Sequence, residues 1–374
     1  MRLLFCIKAL NGPCCGGAER VLVDIARGLV KQGHHVTVLS YDKPNGHSFY
    51  KLHPSIERIE LGIGSTTQPA TWLGTIHRML VLRKTVIKHS PDVVIGFMHS
   101  MFIPLGIALV GTNIPVVASE HIVPMHYKFK PIQAALLRTV PLFVEVITCV
   151  SEQVKQSYPS LLRKKMVAIA NPVTVNAYGE RANVVGYAGK PKRLLAIGRL
   201  VSQKDHMTLI NAFFTIAQRF PDWELKIIGE GPLRHELESL IAKYGLNDRI
   251  ILPGITSKIH EEYLAAQLFV VPSRYESLGL TTVEALVHGL PAVGFADCPG
   301  TNEVIRNDIN GILVTPGNDR VKTLASTLAI LMSDVGKRQT LAKHAPNIVM
   351  EFDENLIVER WEQLLQQVSE SRCE

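Results

Sequence analysis

"RLLFCIKALNGPCCGGAERVLVDIARGL", residues 2 to 29, runs from a short apolar stretch through a glycine-bearing corner into an amphipathic one. The opening "RLLFCIK" has strand length and composition, whereas the apolar residues of 18 to 32 recur at helical spacing. A strand that feeds a helix through Gly16 and Gly17 is the first half of a βαβ unit. The glycine pair lets backbone N–H groups approach a ligand, and the helix start adds a positive dipole end suited to phosphate. A plain tight turn would use glycine equally well, and Glu19 and Arg20 read as a solvated first helical turn.

The same rhythm continues outward from this corner. "HHVTVLS" (34–40) reads as a strand, residues 74 to 88 as a helix and "DVVIGF" (92–97) as a strand. It restarts with "RLLAIGR" (193–199), "WELKIIG" (223–229), "RIILPG" (249–254), "LFVVPS" (268–273), "PAVGF" (291–295) and "GILVT" (311–315), separated mostly by helical patterns. Such alternation predicts an α/β chain of parallel sheets covered by helices. A length of 374 residues exceeds one ordinary core and predicts two doubly wound, Rossmann-like domains. We place them at 1–175 and 190–352, facing each other across a cleft lined by the carboxyl ends of their strands, where such sheets bind ligands. The Gly-, Asn- and Pro-rich stretch 171–193 reads as the linker. The amphipathic "FDENLIVERWEQLLQQV" (352–368) places a C-terminal helix in 353–374, expected to cross back to the first domain.

Composition narrows the function classes. With 47% hydrophobic and 20% charged residues the chain is globular. The six cysteines (Cys6, Cys14, Cys15, Cys149, Cys298 and Cys373) lack zinc-ligand spacing and a disulfide framework, which fits a reducing cytoplasm. The N-terminus has no cleavage pattern and reads as a strand. The apolar run from Asp92 to Val117 is broken by Gly96, His99, Ser100, Pro104, Gly111 and Asn113, so it reads as strand, helix and strand, not a membrane span. The first 180 residues hold 19 basic and 10 acidic side chains, so the excess positive charge belongs to the first half. No nucleic-acid module accompanies it, which leaves an anionic membrane surface or a phosphorylated substrate. In "YKFKPIQAALLRTVPLF" (127–143), Ile132, Ala135, Leu136, Thr139 and Val140 recur at helical spacing, with Lys128, Lys130 and Arg138 at the edge. Such a helix, with Arg163 to Lys165, suits peripheral attachment to the inner face of the cytoplasmic membrane. An ordinary helix packed on its own sheet has the same period.

Two further clusters carry chemistry. In "AIGRLVSQKDH", Arg199 and Lys204 follow the first strand of the second domain; Arg forks phosphate oxygens and Lys supplies a mobile point charge, a pairing suited to a diphosphate. In "RYESLGLTTVEALVHGLPAVGF" (274–295), Glu276 precedes a helix that begins near Gly279 and Glu284 lies within it. Carboxylates grip sugar hydroxyls, and the N–H groups of Leu278, Gly279 and Leu280 at the helix start can take phosphate.

The E-x7-E element from Glu276 to Glu284, the "GRL…K" element with Arg199 and Lys204, the "GEGP" turn at Gly229 to Pro232 and the "GGAER" loop together resemble family 4 (group 1) glycosyltransferases of the GT-B fold. The resemblance runs essentially end to end. It implies that Arg199 and Lys204 hold the donor diphosphate, Glu284 the ribose and Glu276 the donor sugar. It also implies that the main chain of Ile255 meets the base, that Gly16 and Gly17 close over phosphate and sugar, and that His121 lies next to the transferred sugar. A lone histidine after a strand is more often structural. The family retains anomeric configuration by same-face attack, the leaving diphosphate helping to take the acceptor proton. No D-x-D element is present, so neither metal nor cofactor is expected.

"GGAERVLVDIARGLVKQGHHV", "SFYKL" (48–52) and "SEH" most resemble bacterial enzymes that build O-antigen, capsule or lipid-linked glycans. That subgroup implies transfer of GalNAc or GlcNAc from a UDP-sugar to a polyprenyl-diphosphate-linked acceptor. A dehydrogenase would need G-x-G-x-x-G after the first strand, which "GPCCGGAER" does not supply. A sugar-nucleotide epimerase of the same fold and a hexosyltransferase with a soluble acceptor remain alternatives; both glutamates and both basic residues speak against a non-catalytic binding module.

Overall fold

The computed structural model describes residues 1–12, 16–65, 71–173 and 180–371. They form two compact units, Met1–Thr174 with Phe352–Glu374, and Val175–Glu351.

The first unit runs β1 (Arg2–Ile7), α1 (Gly17–Lys31), β2 (His35–Ser40), β3 (Glu57–Glu60), α2 (Trp72–His89), β4 (Val93–Phe97) and α3 (His99–Ala108). It continues with β5 (Val116–Ser119), α4 (Pro131–Thr139), β6 (Val146–Cys149), α5 (Glu152–Ser157), α6 (Ser160–Arg163) and β7 (Met166–Ala168). The strands make a parallel sheet in the order β3-β2-β1-β4-β5-β6-β7. Every residue of β4 and β5 is buried, as expected of strands covered on both faces. The order reverses between β1 and β4, the place where an open parallel sheet leaves a crevice beyond its carboxyl edge.

The second unit runs β8 (Lys192–Ile197), α7 (His206–Ile216), β9 (Trp223–Ile228), α8 (Arg234–Lys243), β10 (Ile250–Gly254), α9 (Ile259–Ala265) and β11 (Leu268–Val271). It ends with α10 (Leu280–Val287), β12 (Ala292–Phe295), α11 (Thr301–Val304), β13 (Gly311–Val314), α12 (Arg320–Ser333) and α13 (Val335–His344). Its parallel sheet has the order β10-β9-β8-β11-β12-β13, with the reversal between β8 and β11. The core on one face gathers Leu194, Phe213, Trp223, Leu225, Val270 and Phe295.

Three stretches differ from the sequence reading. Residues 180–191 belong to the second unit: Ala182 N–H donates to His288 O at 2.8 Å, and Arg181 Nη1 to Val287 O at 2.7 Å. Buried Arg338 holds Val184 O at 2.9 Å. An irregular backbone tied down this way has no period to read, although it is not a loose tether. Residues 174–179 of the same stretch lie outside the described residues. The region 127–143 is not one helix but α4 between two 3₁₀ turns, Pro124–Tyr127 and Val140–Leu142, because Pro131 and Pro141 each remove a backbone donor. The first turn of α1 is bonded inward: Glu19 accepts the Gly16 N–H at 2.8 Å, and Arg20 faces Asp24 at 3.7 Å.

The chain then returns to the first unit. Asp353 caps α14 (Glu354–Glu370) through the N–H groups of Asn355 and Leu356. The helix settles on α1, where Gly28 has no side chain and the Val358 methyls fill the space that a Cβ would need. Arg27 pairs with Glu354 at 3.0 Å and His34 with Glu362 at 2.8 Å. Buried Trp361 stacks on Phe97 of β4, ring centroids 6.3 Å apart. Gly28→Ala is expected to lower stability by about 1–3 kcal/mol, the usual cost of overpacking, with Val358→Ala restoring part of the loss. Chemical denaturation checks it; an unchanged midpoint in Gly28→Ala would contradict the close approach of α14 to α1.

Candidate active site

In the second unit the loops after β8 and β11, the two strands at the reversal, are tied together. Lys204 Nζ donates to Glu276 Oε1 at 2.6 Å, and Ser273 Oγ donates to the same oxygen at 2.6 Å. The Gln203 amide donates to Tyr275 O at 2.9 Å, while Arg274 N–H donates to Gln203 O at 2.9 Å. Arg274 also forms an ion pair with Asp205, whose other oxygen accepts Thr208 Oγ1 at 2.9 Å. Lys204 and Glu276 are largely shielded from water, with side-chain exposures of 18% and 7%. Their attraction is therefore screened far less than that of a surface pair.

The "GEGP" turn clamps the first of these loops from its other side. Side chains at Gly229 and Gly231 would collide with the carbonyls of Gly198 and Leu200, so bare backbone is required there. Leu200 N–H donates to Glu230 O at 2.9 Å, and Leu233 N–H returns a bond to Leu200 O at 3.1 Å. Held between two neighbours, the loop presents Arg199, which is exposed and makes no side-chain hydrogen bond or ion pair among the described residues. His206 opens α7 beneath the loop; burial first, and then nearby Lys204, lower its pKa to about 4, so the ring is neutral.

The chain past Glu276 enters α10 through Gly279, whose φ of 77° lies in the left-handed region. Glu276 N–H donates to Pro299 O at 2.9 Å. Among the described residues, the N–H groups of Leu278, Gly279 and Leu280 donate to no protein acceptor. Glu284 is buried one turn further on and accepts the Tyr263 hydroxyl at 2.7 Å. Ile255, exposed, follows β10 two strands from β8 at the same sheet edge. The second unit thus brings Arg199, Lys204, Glu276 and the start of α10 to its reversal point, with Glu284 behind and Ile255 to one side.

In the first unit, Gly16 precedes α1 and Gly17 opens it, so both lie on the loop after β1. Because Glu19 takes the Gly16 N–H, Gly17 is the more open of the two. Cys14 and Cys15 lie outside the described residues. His121 follows β5 with its ring stacked on Phe97, centroids 5.1 Å apart. Thr148 Oγ1 donates to Ser119 Oγ at 3.0 Å, and that hydroxyl lies 2.9 Å from His121 Nε2. Burial lowers the His121 pKa to about 4 against a raising contribution from Asn171, so the ring is neutral, and its Nδ1 is buried with no hydrogen-bond partner among the described residues.

A family model described as glycosyl transferases group 1 matches residues 180–348, and one described as glycosyltransferase family 4 matches residues 15–177. The chain belongs to this family of glycosyltransferases. An uncharacterized glycosyltransferase of Haemophilus influenzae is 25% identical over 95% of this chain and 98% of its own. An α-1,4-N-acetyl-D-galactosaminyltransferase of Campylobacter jejuni, named for a GalNAc-containing undecaprenol-PP acceptor, is 26% identical over 98% of this chain and 99% of its own. The fold matches sucrose-phosphate synthase from Thermosynechococcus elongatus with a TM-score of 0.84 at 20% identity, covering 99% of this chain and all of that one. The architecture is GT-B, and the enzyme is a group 1 glycosyltransferase of the kind found in bacterial polysaccharide synthesis.

Several residues that order this candidate site escaped the sequence reading. Ser273 and Tyr263, which hold the two glutamates, are common residue types with no diagnostic spacing. His206 stood in the quoted "QKDH" run, but only its burial separates it from a solvated histidine. Lys204→Met is expected to destabilise the protein by about 3 kcal/mol, the low end for breaking a buried pair on one side. Adding Glu276→Gln should recover part of that loss. Equal stabilities for the wild type and Lys204→Met in urea titrations would contradict the tie between the two loops.

Proposed function

We propose that this enzyme moves an N-acetylhexosamine, GalNAc or GlcNAc, from a UDP-sugar to a polyprenyl-diphosphate-linked glycan with retention of configuration. The observation that carries the donor assignment is the clamped loop at the β8/β11 reversal. Among the described residues it holds Arg199 without a protein partner at the sheet edge where α10 begins with N–H groups that donate to no protein acceptor. A guanidinium fork and a helix N-terminus are matched to a diphosphate. Lys204 adds a second positive charge, and Glu276, anchored by Lys204 and Ser273, keeps its remaining lone pairs for sugar hydroxyls. Glu284 takes the ribose, and the main chain of Ile255 takes the base. As the anomeric C–O bond breaks, negative charge grows on the diphosphate, where Arg199, Lys204 and the start of α10 stabilise it without a metal ion. His121 contributes a neutral ring nitrogen to a sugar hydroxyl.

The acceptor assignment is supported by the name of the Campylobacter relative and by the surface of the first unit. Phe129, Ile132 and Leu142 are 87%, 76% and 84% exposed, and Leu136 and Leu161 join them. Within α4 the buried residue is Leu137, with Val140 buried just beyond it, so most of the apolar residues face water and not the core. Lys128, Lys130, Arg138 and Lys164 are exposed among them. Apolar side chains ringed by basic ones suit the headgroup region of an anionic bilayer, each basic residue contributing on the order of 1 kcal/mol. No helix among the described residues is long and apolar enough to cross a membrane.

The test is a donor screen by mass spectrometry, offering UDP, GDP and ADP sugars with a short polyprenyl-diphosphate disaccharide in vesicles. A retained N-acetylhexosamine linkage from a UDP donor is expected, insensitive to EDTA and faster on anionic than on neutral vesicles at low salt. An inverted linkage, abolition by EDTA with rescue by Mn²⁺, or donor epimerisation without acceptor would each contradict the proposal.

A further inference from the structure

Three cations, Lys8, Arg58 and Arg78, gather around the loops that follow β1 and β2 in the first unit, and their surroundings differ. Arg58 pairs with Glu60 at 2.8 Å and donates to Gly46 O at 2.7 Å. It also lies 3.9 Å from the Asp42 oxygen that accepts the Leu10 N–H at 2.6 Å. The carboxylates of these loops are thus committed to Arg58 and to the backbone. Among the described residues Lys8 and Arg78 form no ion pair, and the Lys8 side chain makes no hydrogen bond.

Both of these cations sit against Tyr41. Lys8 directly follows β1, and its carbonyl accepts the Tyr41 N–H at 3.2 Å. Tyr41 directly follows β2 and is buried, with the Arg78 guanidinium 4.8 Å from the centre of its ring. Arg78 reaches this place from α2 past Gly64, whose φ is 67° and where a side chain would collide with the guanidinium. Arg78 is itself buried, and its Nη2 donates to Ser65 O at 2.8 Å. Nε and Nη1 have no acceptor among the described residues. The buried hydroxyls of Ser40 and Tyr41 also lack a partner there.

Shielded cations without a counter-ion are costly, and two of them side by side repel. The face of the Tyr41 ring offsets part of the Arg78 charge and none of the charge on Lys8. Burial first, and then Arg78, lower the Lys8 pKa from its ordinary value. β1 is one of the two strands at the reversal of the first sheet, and the carboxyl edge at a reversal is where such sheets take ligands. We propose that Lys8 and Arg78 form a phosphoryl site, contained wholly within the first unit, that holds a phosphoryl group of the lipid-linked acceptor. The proposal rests on the acceptor reading above. A phosphoryl group brings enough negative charge and enough oxygens for both cations: the open edge of Arg78 takes two oxygens as a fork, and Lys8 supplies a point charge to a third. A carboxylate would bring one charge and two oxygens.

Lys8→Met keeps the length of the side chain and removes its charge. Without ligand it should melt at the temperature of the wild type or above, because a repulsion is lost. In the full-length protein saturated with UDP, calorimetric titration with inorganic pyrophosphate should show binding that Lys8→Met weakens by about 10- to 100-fold and Lys8→Arg largely keeps. Pyrophosphate should raise the melting temperature of the wild type more than that of Lys8→Met. With a UDP-sugar and the polyprenyl-diphosphate disaccharide, Lys8→Met should raise the acceptor KM by about 10- to 100-fold, with kcat and UDP affinity within about twofold, as expected when only binding is lost. Equal pyrophosphate binding in the wild type and Lys8→Met, or a lower melting temperature of ligand-free Lys8→Met, would overturn the site. Weakened pyrophosphate binding with an unchanged acceptor KM would overturn the acceptor as the source of the phosphoryl group in favour of free phosphate. Failure of the wild type to bind UDP would overturn the donor assignment instead, and the comparison of pyrophosphate binding between wild type and Lys8→Met would still decide this site.

Discussion

The bond between Lys204 and Glu276 is the constraint on which the β8/β11 reversal, the proposed donor site, depends. Two loops leave neighbouring strands in opposite directions at the β8/β11 reversal, and nothing in sheet geometry alone would keep them together. A largely buried charge pair does so, reinforced by Ser273, Gln203 and the Arg274–Asp205 pair. Because Lys204 is already satisfied by Glu276, Arg199 is, among the described residues, the cation left open beside the start of α10. The loops are thus organised before any ligand arrives, which reduces the ordering cost of binding an anion there.

A corresponding constraint shapes the first unit, and it comes from the far end of the sequence. α14 reaches α1 because Gly28 makes room for Val358, and its Trp361 then forms the back of a ring stack running through Phe97 to His121. On the other side of His121, Thr148 and Ser119 hold its Nε2. The orientation of one ring at the end of β5 is therefore fixed by residues drawn from β4, β6 and the C-terminal helix.

Much of this was legible in the chain itself. Alternating strand and helix patterns specify two parallel sheets, and Arg199, Lys204, Glu276 and Glu284 stand in short motifs whose chemistry is readable because their functional atoms lie close along the sequence. What was not legible depends on contacts between distant segments. Glu120 looks like any polar residue in "SEH" until Tyr127 and Tyr158 are seen to enclose it. Gly16 looks free for a ligand until Glu19 folds back onto its N–H. Residues 180–191 have a linker's composition, yet they are held by Arg338, 154 residues on from Val184. Pattern reading captures periods and local motifs, whereas burial and long-range hydrogen bonds arise only when the chain closes on itself.

We assign the β8/β11 reversal as a nucleotide-diphosphate site organised by Lys204. Calorimetric titration of the full-length protein with UDP, in buffer containing EDTA, tests it most directly. Saturable 1:1 binding is expected, weakened by about 10- to 100-fold in Lys204→Ala, the loss of a charge-assisted contact, and unchanged in Phe129→Ser on the apolar surface of the first unit. Binding of equal strength in Lys204→Ala, or no binding to the wild type, would contradict it.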